Sequence, residues 1–140
     1  MKLSTRYGII SLAALATLGT AHWVRGNITF DLRAMSFVLG VAPNFAASIA
    51  IIFVFMGTVA AQEKYRSYQS YRLWFSILAA VSLVGLIGWE VFQLSSRKLV
   101  FDPYDIVFTV IGICTAFALF LLSTFKDDSA RMRNERSEQE

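Results

Sequence analysis

The sequence predicts an all-α protein: a four-helix transmembrane bundle with a short interfacial helix before its second span. Three observations lead there. Of the 140 residues, 56% are hydrophobic and 14% aromatic, and the mean hydropathy of +0.53 is high for a water-soluble domain of this length. Four stretches, Tyr7–Val24, Ala34–Gln62, Leu73–Trp89 and Ile106–Phe125, contain no Asp, Glu, Lys or Arg. A helix needs about 20 residues to cross a hydrocarbon core roughly 30 Å thick, and all four are long enough. The connectors between them are short and polar, which suits one bundle over 1–125 followed by a charged cytoplasmic tail at 126–140.

The net charge of +3 does not point to nucleic acid as a partner, because the basic residues sit at helix ends. The single cysteine, Cys114, lies inside the fourth apolar run, carries no metal-site spacing and reads as packing.

The first helix is expected over about 7–24. Lys2 and Arg6 before an apolar run, with Gly19 and Ala21 beyond, imitate a secretory signal peptide. The run continues through Trp23 and Val24 to Arg25, which favours a retained span with His22 and Trp23 at its far interface. The loop that follows contains an Asn27-Ile28-Thr29 sequon, a short and common pattern.

The second apolar run is longer than one untilted span needs, and Pro43 interrupts it. A proline inside a helix removes one backbone bond and bends the chain. The expectation is an interfacial helix over about 31–41, a break at Ala42-Pro43, and a second span over about 44–62 capped by Asn44. A single long, kinked helix is the alternative.

Gln62 to Arg72 reads as a polar connector, with Tyr65, Tyr68 and Tyr71 as interfacial anchors. The third span is expected over about 73–94, where Gly85, Gly88, Ser76 and Ser82 offer small side chains for close helix approach. The fourth runs over about 103–125. Asp102 caps it, Pro103 takes the first helical position, and Asp105 sits in the first turn, where the helix dipole favours negative charge.

Lysine and arginine set the expected orientation. With both termini on one side, Lys2, Arg6, Lys64, Arg66, Arg72, Lys126, Arg131, Arg133 and Arg136 share that side, nine of the 13 basic residues. The positive-inside rule then places both termini in the cytoplasm.

The candidate site lies at the opposite, outward end. Glu90 is the one carboxylate set into an apolar run, and Gln93 follows three residues on, on the same helical face. A charged carboxylate at mid-membrane costs roughly 2.5–3.5 kcal/mol, less toward the interface, and needs water, a cation or a donor nearby. Arg97 and Lys98 stand just past the helix end, within reach. Two readings stay open: an ion pair that fixes the loop, or a functional acid. Asp105, Thr109, Gly112 and Ala116 form a slim stripe at helical spacing, expected to face helix 3 and Glu90.

Glu90 and Gln93, the basic Arg97, then Phe101, Asp102, Asp105, Thr109 and Gly112 together resemble the VanZ-like family of small membrane proteins. The Pro43-Asn44 segment within Leu39–Ala47 looks like a stretch found in some members. Thr109 stands where members commonly carry asparagine. The resemblance implies a protein of the bacterial inner membrane associated in some bacteria with lowered susceptibility to teicoplanin-type lipoglycopeptides, and it supplies no catalytic assignment.

The residues themselves admit three function classes. One is a binding module, with Glu90, Gln93, Arg97, Asp105 and Thr109 forming an outward polar notch for a lipid headgroup or an amphiphilic small molecule. Another is an accessory subunit that docks a membrane protein partner. The third is an enzyme or transporter. It finds little footing: the single histidine, His22, is remote, and no metal-ligand spacing or cofactor motif exists.

Overall fold

The computed structural model describes residues 1–28, 32–62, 67–94 and 102–137, with side chains excepted at 94 and 125–137. It contains α1 (Leu3–Asn27), α2 (Arg33–Ala61), α3 (Tyr68–Leu94) and α4 (Pro103–Ser137), and no strand among the described residues. All four are long and apolar enough to span a membrane, α4 over Pro103–Thr124. The chain is a multi-pass membrane protein built as an all-α four-helix bundle.

Helix α2 is the hub. It packs against each of the other three helices, and 39% of its span is buried, against 22% in each of the others. Its inward residues Val41, Ala46, Ser48, Ile49, Ile52, Phe53, Met56 and Val59 recur at helical spacing. The outward residues of the other helices, such as Leu12, Leu15, Val81, Val84 and Leu122, are exposed in the isolated chain and suit hydrocarbon as their solvent.

An aromatic cluster ties the four helices together. Tyr7 of α1 lies 5.3 Å from Phe53 of α2 and 6.5 Å from Phe120 of α4, and Phe120 stacks at 4.7 Å on Phe75 of α3. Tyr7, Phe53 and Phe120 are completely buried. At this end Arg6 donates to the Ser123 carbonyl at 3.0 Å, and the Tyr7 and Thr124 hydroxyls meet at 2.8 Å. The start of α1 therefore lies beside the end of the α4 span.

Three expectations are corrected. The break at Ala42-Pro43 and the separate helix over about 31–41 are absent: α2 runs continuously through Pro43. Proline forfeits one helical bond, whereas ending and restarting a helix in hydrocarbon would strand several unpaired backbone groups, each costing more. Asn44 consequently lies inside a helix and caps nothing. Helix α3 begins earlier than residue 73, because the Ser67 hydroxyl accepts the Ser70 backbone N–H at 3.1 Å and caps it. This draws Tyr71 into the core, 8% exposed; Tyr65 lies outside the described residues.

The small residues also act elsewhere than expected. A Cβ placed on Gly85 or Gly88 would meet nothing within 4 Å. The tight contact is at Gly112, where a Cβ would collide with Ser48 Oγ and lie 2.6 Å from the Phe45 carbonyl oxygen. The stripe through Thr109, Gly112 and Ala116 thus seats α4 against α2, which brings the first turn of α4 alongside Asn44. Cys114, read as packing, is exposed on the outer face.

Candidate functional site

At the end of the bundle where α1 finishes and α4 starts, α2, α3 and α4 bring polar side chains together. Glu90 is 2% exposed. Its Oε1 accepts from Asn44 Nδ2 at 3.4 Å and from Gln93 Nε2 at 3.2 Å. Its Oε2 is buried and has no hydrogen-bond partner among the described residues. The Asp102 backbone amide approaches the carboxyl without closing a bond on that oxygen.

Asp105 faces the same pocket. Its carboxylate is near enough to Glu90 for the two charges to repel, and the Asn44 amide approaches both. Asp102 adds a third negative group nearby, and Arg25, in the last turn of α1, supplies the opposing positive field at Asp105. Asn44 is the pivot. Sequence reasoning assigned it to a cap, and the missed signal is spacing: it stands on an uninterrupted α2, on the face that the Gly112 contact turns toward α4.

The helix-start residues behave as their chemistry dictates. Asp102 Oδ1 accepts the Tyr104 backbone N–H at 2.9 Å, with Pro103 in the first helical position. Thr109 is 1% exposed and its hydroxyl donates to the Asp105 carbonyl at 2.8 Å. Its proton is committed to its own helix, so Thr109 offers an incoming molecule only weak acceptor capacity. Gln93 is half-buried and bonded to Glu90. Arg97, Lys98 and Phe101 lie outside the described residues.

Among the described residues the pocket is therefore richer in acceptors than in donors. The Gln93 amide is spent on one oxygen of Glu90 and the Asn44 amide is shared between that oxygen and Asp105, while the other Glu90 oxygen has no partner among the described residues. Buried carboxylates are normally fully bonded, and an unmet one costs more than a missing neutral bond. Among the described residues no three His, Cys, Asp or Glu side chains are grouped so as to hold a metal ion; the carboxylates supply hydrogen-bond acceptors and negative potential. The other buried atom without a partner among the described residues is Ser82 Oγ, deeper on the same helix.

No protein-family model, curated protein or solved structure matches this chain.

Proposed function

We propose that this is a VanZ-like membrane protein of the bacterial envelope. In this reading the pocket between α2, α3 and α4 binds the headgroup of a lipid or amphiphile, lipoglycopeptides included. The observation that carries the reading is Glu90 Oε2, a buried carboxylate oxygen without a partner among the described residues, held beside a second carboxylate. Glu90 and Gln93 lie in the last five residues of α3 and Asp105 in the first turn of α4, so in this reading the pocket lies shallowly below a membrane face, within reach of a headgroup. Glu90 and Asp105 accept, Gln93 and Asn44 fix the Glu90 carboxyl, and Arg97 meets phosphate or carboxylate. The binding is non-catalytic.

Both termini are cytoplasmic and the pocket faces outward, by the basic-residue count. A reporter fused after Glu140 that is active only inside the cell supports this, and one active only outside reverses it. The functional test is alanine at Glu90 and at Asp105 in cells challenged with a teicoplanin-type antibiotic. Altered susceptibility at normal protein abundance supports the binding reading; unchanged susceptibility at normal abundance removes it. The accessory-subunit reading draws on α4 continuing from Thr124 to Ser137, past its span. A stoichiometric partner that co-purifies, with abundance falling in the same variants, favours it instead.

A further inference from the structure

The acceptor-rich character of the pocket identifies the chemistry it takes, granted that the pocket binds a headgroup at all. We infer that it selects a protonated primary amine, seated between the Glu90 and Asp105 carboxylates, and that the source is an ethanolamine-type lipid headgroup. Glu90 is 2% exposed, one of its oxygens is saturated by Asn44 and Gln93, and the other is unmet among the described residues. Asp105 adds a second negative group within interaction range. Among the described residues no donor reaches that second oxygen, and an incoming molecule can supply one.

A primary ammonium brings three N–H donors and a full positive charge in a compact group. A quaternary ammonium has the charge but no N–H, so it cannot satisfy Glu90 Oε2. An anionic headgroup would meet two carboxylates and is repelled. Arg25, on the α1 side of Asp105, suits the phosphate that accompanies an ethanolamine group. Two carboxylates with a guanidinium acting on one of them complement an ammonium joined to a phosphate.

The test uses the full-length protein in nanodiscs that hold phosphatidylethanolamine, phosphatidylcholine and phosphatidylglycerol in equal parts. Lipids retained after progressive delipidation are counted by native mass spectrometry. The expected result is retention of one phosphatidylethanolamine with roughly tenfold preference over phosphatidylcholine, about 1.4 kcal/mol. Glu90→Gln should bring that preference to parity, and Asp105→Asn should reduce it. The comparison among lipids on the unaltered protein stands even where a variant fails to fold. Equal retention of the ethanolamine and choline lipids overturns the inference, as does an undiminished preference in a folded Glu90→Gln protein.

Free ethanolamine separates the sources. Displacement of the retained lipid by millimolar ethanolamine supports an ammonium seat filled by lipid. Ethanolamine binding without any retained lipid overturns the lipid source. If phosphatidylglycerol is retained and lost in Glu90→Gln, the headgroup pocket stands and the amine selectivity falls. If no lipid is held specifically and Glu90→Gln changes nothing, both fall.

Discussion

At the end of the bundle where α1 begins, buried polarity is closed on itself. The Tyr7 and Thr124 hydroxyls meet, the Thr124 hydroxyl also reaches the Phe120 carbonyl at 2.7 Å, and Arg6 caps the Ser123 carbonyl. Aromatic rings from all four helices surround the pair. At the other end, Asn44 and Gln93 both point at one oxygen of Glu90 and leave its twin unmet among the described residues, with Asp105 adding repulsion. Neutral hydroxyls with partners stabilise helix association modestly, by an average near 0.6 kcal/mol per bond in membrane proteins. Crowded carboxylates oppose it. The closed end holds the fold, and in the proposed reading the open end is where a ligand binds.

That contrast can be broken first at the closed end. Phe120→Ala removes the ring that joins Tyr7 to Phe75 and should cost about 3–5 kcal/mol of stability. The loss is measured by melting in detergent, and the protein that remains folded should keep its lipid preference. An equal loss of preference would mean that the two ends act as one unit.

Gly112→Ala comes next. The added methyl group meets the Phe45 carbonyl at 2.6 Å, backbone that cannot turn aside, and overpacking of this kind costs about 1–3 kcal/mol. Because Phe45 adjoins Asn44, this substitution should also weaken lipid retention. A stability loss without a binding loss would show that α4 can shift without disturbing the pocket.

Tyr7→Phe sharpens the comparison with a single atom. It removes the hydroxyl bonded to Thr124 and should cost about 0.6–1 kcal/mol, with lipid retention unchanged. Glu90→Gln is expected to have the smallest effect on stability, within about 0.5 kcal/mol or stabilising. Glutamine keeps the shape, removes a charge and offers an N–H to Asp105. Its effect on retention should be the largest of the four.

The four spans were legible in the sequence because hydrocarbon imposes a length and an absence of charge that any reader can count. The Asp102-Pro103 helix start was legible for a similar reason, since cap chemistry is local. Glu90, Gln93 and Asp105 stood out as costly groups near a membrane face, and the fold brings Glu90 and Asp105 within interaction range of one another. Asn44 was misassigned because a proline before it resembles a helix break in water, whereas hydrocarbon penalises the break more than the proline. The Gly112 contact was invisible: Gly85 and Gly88 present the same small side chain, and only the packing of α2 on α4 decides which glycine is needed. Thr109 bonds to its own helix, as Thr17, Thr115 and Thr124 also do, a habit of helical threonines that the expected ligand contact overlooked.

The most direct test of the open end is the melting temperature of the unaltered protein and of Glu90→Gln, each in detergent with and without added phosphatidylethanolamine. The expected result is that Glu90→Gln melts at or above the unaltered protein without lipid, and that added lipid raises only the unaltered protein, as a ligand that binds only the folded state must. If Glu90→Gln instead melts several degrees lower and lipid shifts neither protein, Glu90 is a structural lock and the pocket is not a binding site.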